Sequence, residues 1–146
     1  MKVVVFGASG RTGKPLVEQA LAAGHEVTAF VRNRAKLALQ HPKLNIVQGD
    51  SANPAQVETA VAGADAVLSV LGPVKNSPKD MLQTAGRNII AAMKRHGVRR
   101  LVLLTGAGVR DPQDQPKLVD HIFGFLLRLT SGDVLKDSEA GVNIVR

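Results

Sequence analysis

The sequence predicts an α/β fold, a doubly wound parallel sheet with strand order 3-2-1-4-5. Three observations carry that expectation. Short runs of apolar β-formers alternate with amphipathic helical patterns along the chain, as in parallel βαβ units with right-handed crossovers. The strand runs are nearly all apolar, which suits a sheet covered by helices on both faces. Glycines at 24, 63 and 97 stand where helical patterns stop, ready to supply a left-handed C-terminal turn.

Taken in order, VVVFG (Val3–Gly7) reads as a short buried strand ended by glycine. Pro15–Ala23 reads as a helix: Pro15 suits a first turn, and Leu16, Val17, Ala20 and Leu21 form one stripe. EVTAFVR (Glu26–Arg32) is the second strand, followed by a short helix near Ala35–Gln40. LNIVQGD (Leu44–Asp50) is the third strand, and Pro54–Ala62 is helical with Val57 and Val61 inward. DAVLSVLG (Asp65–Gly72) is the fourth strand. After the loop Pro73–Lys79, a long helix covers Met81–His96, and RRLVLLTGAG (Arg99–Gly108) is the fifth strand with its exit loop.

Two further helical patterns span Leu118–Leu129 and Val134–Val145. In the second, Val134, Leu135, Ser138, Val142 and Val145 share a face. VNIVR can also be read as a strand; the helix reading is preferred, and under it the sheet lacks a final strand, by truncation or disorder. The 146 residues show no linker, repeat or low-complexity segment, so 1–146 read as one domain, incomplete at its C-terminus.

Composition removes several function classes. There is no cysteine, hence no disulfide, no thiolate metal site and no Cys nucleophile. The four histidines lack ligand spacing with a carboxylate partner, so no metal is expected. Nor is there a G-x-S-x-G elbow. The net charge is +7, but the cations are dispersed and aromatics are 3%, too few for base-stacking platforms. A basic surface with a pocket for an anionic small molecule is expected, without nucleic acid. Only four apolar residues lie between Lys2 and Gly7, too few for a signal segment or a membrane span. A cytoplasmic protein is the expectation, with oligomeric state open.

The stretch GASGRTG joins the first strand to the first helix. Helix N-termini expose unpaired N–H groups and a partial positive charge, and a diphosphate fits there where no Cβ blocks it. Gly7 allows the tight turn, Gly10 the approach of phosphate, and Gly13 close packing of helix on strand. Ser9, Arg11 and Thr12 complete the loop. It is a variant of the dinucleotide fingerprint, with the middle glycine displaced by one place from G-x-G-x-x-G. NAD-binding folds place an acid at the end of the second strand. Here Arg32 stands there, with Arg34 and Lys36 beyond, and an arginine grips a 2′-phosphate bidentately. The expected coenzyme is therefore NADP(H), preferred over NAD(H).

Farther on, Asp50, with Ser51 beside it, either accepts from the adenine amine or caps the turn before Pro54. Leu71 and Gly72 end the fourth strand beside the crevice where backbone can run along the coenzyme. Thr105 and Gly106 end the fifth at the carboxyl edge, where ligands bind in open α/β sheets. Thr105 is placed to bond the nicotinamide side, the substrate or its own loop. Of the histidines, only His121 follows the fifth strand, where substrate would sit; Thr105 and His121 are the catalytic candidates. HIFGFLLRL (His121–Leu129) is a lid, an oligomer face or a helix packed on the sheet.

The series GASGRTG, FVRNR, QGD, VLSVLGP and LVLLTGAG resembles the atypical short-chain dehydrogenases/reductases. Within them it is most similar to the NAD(P)H-binding NmrA-like and biliverdin IXβ/flavin reductase-like branch, over essentially the whole chain. The resemblance implies a Rossmann-type fold and a coenzyme site. The usual Tyr-x-x-x-Lys pair is excluded because the chain has no tyrosine, and with it epimerase-like chemistry. Flavin and biliverdin reductases of this fold bind a planar acceptor against the nicotinamide. In that branch a serine and a histidine line the acceptor site. Here Gly106 takes the serine's place, and Ser138 or Val142 falls in the histidine region, which argues against biliverdin and leaves flavin or quinone. The expected function is an NADPH-dependent oxidoreductase passing hydride to such an acceptor. The alternative is a non-catalytic NADP(H) redox sensor that contacts a protein partner.

Overall fold

Five strands, β1 (Lys2–Phe6), β2 (Glu26–Val31), β3 (Leu44–Gln48), β4 (Ala66–Ser69) and β5 (Arg100–Leu103), pair in parallel in the order β3-β2-β1-β4-β5. The computed structural model describes residues 1–74, 76–105, 133–134 and 136–144. β1 lies at the centre, with Val4 opposite Thr28 of β2 on one side and Val67 of β4 on the other. The chain reverses direction across the sheet at β1: β2 and β3 build outward one way, β4 and β5 the other. That reversal opens a crevice above the carboxyl ends of β1 and β4.

The alternation of side chains along β1 divides the core. Val3 and Val5 face α1 (Gly13–Ala22), meeting Val17, Ala20 and Leu21. Val4 and Phe6 point the other way, into the cluster of α2 (Pro54–Val61) and α3 (Met81–Arg95), with Val57, Val61, Ile89 and Met93. Phe6 and Phe30 stack tilted in this second layer, ring centroids 4.9 Å apart. Each such fully buried side chain is worth about 1.5–3 kcal/mol of transfer free energy. The expected helix–sheet–helix layering is therefore present, with α1 on the first face and α2 and α3 on the second.

Gly24, Gly63 and Gly97 all have positive φ. Among the described residues, α1 begins two residues before Pro15, whose missing N–H falls in the first turn, where no intrahelical partner exists.

Three expectations need correction. Ala35–Gln40 is not a helix but a single 3₁₀ turn at Arg34–Lys36, held by the Asn33 side chain accepting from the Ala35 N–H. Leu37 is drawn into the core, and Pro42 disfavours helix at the residue before it. The third and fourth strands stop at Gln48 and Ser69 rather than Asp50 and Gly72. Each tail keeps one further bond to the neighbouring strand, from the Gly49 N–H to the Val31 carbonyl at 2.9 Å and from the Val70 N–H to the Phe6 carbonyl at 3.0 Å, and then leaves the ladder. The fifth strand spans Arg100–Leu103 and leads into its exit loop, of which residues 106–108 lie outside the described ones.

Positions 133, 134 and 136–144 are helical, as the Val134–Val145 pattern predicts, although Leu135 and Val145 themselves lie outside the described residues. The Leu118–Leu129 pattern also lies outside them.

Candidate functional site

The loop from β1 to α1 is shaped by its glycines in three different ways. Gly7 has φ +81°, a conformation L side chains rarely adopt, and a Cβ there would stand 2.8 Å from the Val70 carbonyl oxygen. A Cβ on Gly13 would stand 2.1 Å from the Gly7 oxygen and 2.7 Å from the Ala8 Cα, so the start of α1 seats directly on the loop. Gly10 differs: its N–H donates to the Gly7 oxygen at 3.0 Å, and a Cβ would meet only that oxygen, at 3.2 Å. Its outer side is open space.

The helix starts differ in how they are satisfied. The Asn53 side chain caps α2, accepting from the Ala55 and Gln56 N–H groups. Asn33 caps the 3₁₀ turn. The Asp137 carboxylate serves α3, accepting from Leu82 N at 2.8 Å and Gln83 N at 3.1 Å. At α1, Thr12 holds the cap position and makes no side-chain cap, and the first turn has no acid. Among the described residues the N–H groups of Ser9, Arg11 and Thr12 find no acceptor in the loop. A helix start with open donors, a glycine-opened face and an exposed arginine, Arg11, has what a diphosphate requires.

Beyond β2, Arg32 is exposed, no acid occurs from residue 27 to 49, and neither Arg11 nor Arg32 is ion-paired among the described residues. Arg34 is otherwise engaged, its guanidinium donating to the Ile46 carbonyl at 3.3 Å. Asp50 is exposed; one carboxylate oxygen accepts from Ala52 N at 2.9 Å. It closes a turn, and the helix cap before Pro54 is Asn53. Its second oxygen has no partner among the described hydrogen bonds. Ser51 is buried, and its carbonyl accepts from Asn88 Nδ2 at 2.9 Å. A Cβ on Gly49 would stand 2.7 Å from the Phe30 ring, so this glycine keeps the Asp50 turn against the sheet.

The crevice itself holds a cavity of about 340 Å³. Thr12 reaches it from the glycine loop, Leu71, Gly72 and Pro73 from the end of β4, and Leu103, Leu104 and Thr105 from the end of β5. Leu82, Ala85, Gly86 and Ile89 of α3 and Val134, Ser138 and Gly141 of the last helical segment form the far wall. The described lining is aliphatic apart from the hydroxyls of Thr12, Ser69, Thr105 and Ser138. Ser138 Oγ donates to the Val134 carbonyl at 2.8 Å.

The structure thus gathers Thr12, Leu71, Gly72 and Thr105 around one cavity and puts Gly7, Ser9, Gly10, Arg11 and Gly13 in the adjoining loop. Gly106 and His121 lie outside the described residues. His96 caps the end of α3 with its Nε2 3.5 Å from a Glu58 oxygen, and His41 Nδ1 accepts from Lys43 N; both serve local structure. Among the described residues no cluster of His, Asp and Glu can hold a metal ion, and no helix is long and apolar enough to cross a membrane.

Asp137, Asn88, Asn53 and Gly49 are absent from the sequence-derived site. Asp137 had a signal, since it shares helical spacing with Val134 and Gly141 and is an acid on the inward face.

A profile of proteins described as NAD(P)H-binding matches residues 7–146. The chain is 36% identical over 103 residues to a 2-alkyl-3-oxoalkanoate reductase of Shewanella oneidensis, covering 67% of this chain and 26% of that protein. Among solved structures, a short-chain dehydrogenase/reductase of Veillonella parvula in complex with NADP superposes with TM-score 0.77 at 18% identity, over 99% of this chain and 63% of that one. ChuY, an anaerobillin reductase of Escherichia coli, superposes with TM-score 0.76 at 19% identity, over 99% and 66%. At such identities these two superpositions carry the fold alone. The chain spans 48%, 31% and 26% of the length of the first three curated relatives it matches. By its profile match and its 3-2-1-4-5 sheet, this chain belongs to the NAD(P)H-binding family of Rossmann-fold proteins.

Proposed function

We propose that residues 1–146 form the coenzyme-binding domain of an NADPH-dependent reductase that passes hydride to a planar apolar acceptor such as a flavin or quinone. The observation that carries this reading is the aliphatic cavity contiguous with the glycine loop at the topological switch point. Gly7, Ser9, Gly10, Arg11, Thr12 and Gly13 hold the diphosphate. Arg32 takes the 2′-phosphate, Asp50 and Ser51 flank the adenine end, and Leu71, Gly72, Thr105 and Gly106 border the nicotinamide end.

Bound coenzyme supplies two electrons and a proton as hydride, and water supplies the second proton to the reduced acceptor. The chain's part is to hold acceptor and coenzyme in register and exclude water from an apolar wall. Residues 1–146 hold no tyrosine, so they themselves supply no Tyr–Lys proton donor. The absence of cysteine suits a reducing compartment, the cytoplasm.

The test is a calorimetric titration with NADPH and with NADH, followed by NADPH oxidation assays with flavin mononucleotide and menadione. Preferential NADPH binding and turnover of either acceptor support the reading. Binding without turnover of any planar acceptor would point instead to a coenzyme sensor.

A further inference from the structure

Among the described residues, Asp137 is one of three buried polar or charged ones, only 4% exposed. Its carboxylate spans 55 residues of sequence to reach the first turn of α3, placing one oxygen on the Leu82 N–H and the other on the Gln83 N–H. The local cap residue of that helix, Asp80, makes no side-chain cap and accepts instead from the Thr84 hydroxyl. Closing off two orphan N–H groups with one carboxylate at a positive helix end is a favourable contact.

Its position gives the contact a consequence. Leu82, Ala85 and Gly86 on one side of the clasp, and Val134, Ser138 and Gly141 on the other, all line the cavity. The two segments approach closely: a Cβ on Gly141 would lie 3.6 Å from the Leu82 carbonyl oxygen, and one on Gly86 would lie 3.8 Å from the Gly141 oxygen. No residue of the glycine loop takes part.

We propose that Asp137 is a positioning residue that clasps α3 to the last helical segment, sets the wall of the acceptor cavity and thereby governs acceptor fit without governing coenzyme binding. The proposal rests on the reductase reading above. The carboxylate touches neither acceptor nor coenzyme; it acts through the two backbone N–H groups. Asn in its place keeps one acceptor oxygen, and Ala keeps none.

The experiment compares wild type, Asp137→Asn and Asp137→Ala for NADPH affinity by calorimetry and for steady-state reduction of flavin mononucleotide and menadione. A second route to the same wall, Gly141→Leu, wedges the segments apart and leaves the carboxylate in place. The expected result is an acceptor KM raised about tenfold or more in Asp137→Ala, an intermediate rise in Asp137→Asn, a rise in Gly141→Leu, and NADPH affinity within about twofold of wild type throughout. Faster amide exchange at Leu82 and Gln83 accompanies the rise. Unchanged acceptor KM in Asp137→Ala overturns the proposal, as does a parallel loss of NADPH binding. Wild-type protein that binds NADPH but reduces neither acceptor overturns the reductase reading and the proposal with it, a failure visible without any variant.

Discussion

Gly13 sits so tightly on Gly7 that a Cβ added to it would stand 2.1 Å from the Gly7 carbonyl oxygen, whereas the same atom on Gly10 would stand 3.2 Å from that oxygen and meet nothing else. Two glycines of one loop therefore answer to different demands. Gly13→Ala drives a methyl into backbone on both sides and is expected to cost more than the ~1–3 kcal/mol typical of overpacking, visible as a large fall in Tm. Gly10→Ala needs a shift of a few tenths of an ångström and is expected to leave Tm nearly unchanged. Because its methyl projects into the proposed phosphate position, NADPH affinity measured by calorimetry is expected to fall about tenfold or more. Gly10→Ala with full affinity would show that the loop is only a turn.

Arg32 stands exposed at the end of β2 in a stretch without acids, while Arg34 is drawn to the Ile46 carbonyl. Arg32→Ala is expected to weaken NADPH binding by about 1–3 kcal/mol, roughly 5- to 150-fold, and NADH binding little. Arg34→Ala is expected to affect the two coenzymes alike. Equal losses for both coenzymes in Arg32→Ala would overturn the proposed 2′-phosphate contact.

How much of this was legible in the sequence follows from the range of each interaction. The strand order and the two-faced core come from local patterns, such as Val3–Phe6 alternating between α1 and the α2–α3 layer. The glycine loop is local too, and its spacing carried the tight turn at Gly7 and the close seat of Gly13. Ala35–Gln40 failed because four apolar positions without a continuing stripe do not nucleate a helix when Asn33 offers a 3₁₀ cap and Leu37 has a place in the core. Asp137 and Asn88 were missed for a different reason: their partners, Leu82, Gln83 and Ser51, lie 37 to 55 residues away. A side chain reaching a backbone N–H or carbonyl leaves no complementary residue type to find at the other end.

Asn88 shows what such a contact does. Its Nδ2 is the donor to the carbonyl of buried Ser51, tying α3 to the loop that carries Asp50. Asn88→Ala leaves that carbonyl without its donor and is expected to destabilise the fold by about 1–3 kcal/mol, measured by urea denaturation. Under the proposed coenzyme placement the adenine end loosens with it, so NADPH affinity is expected to fall modestly. Wild-type stability in Asn88→Ala would mean that water replaces the amide without loss.

Lys79 and Asp133, 2.8 Å apart, join the entry to α3 with the start of the last helical segment, a turn away from the Asp137 clasp. Both are exposed. The hydrogen bond and then the charge of Lys79 hold the Asp133 carboxyl below its usual 3.8. The same two causes, from Asp133, raise the Lys79 ammonium above its usual 10.5. Asp133 titrates lower in the folded chain than in the unfolded one, so its contribution is present above the unfolded value and is lost as pH falls through the folded one. Lys79 runs the opposite way: its contribution is present below its unfolded value and is lost as pH rises through the folded one. The pair therefore adds a flat, small stabilisation across the neutral range that disappears at both extremes. Solvent and salt screen it. Lys79→Gln is expected to lower Tm slightly at neutral pH and low salt, and not at all in strong acid or high salt. A Tm difference that persists in strong acid would show that Lys79 acts through packing of its aliphatic stem rather than through its charge.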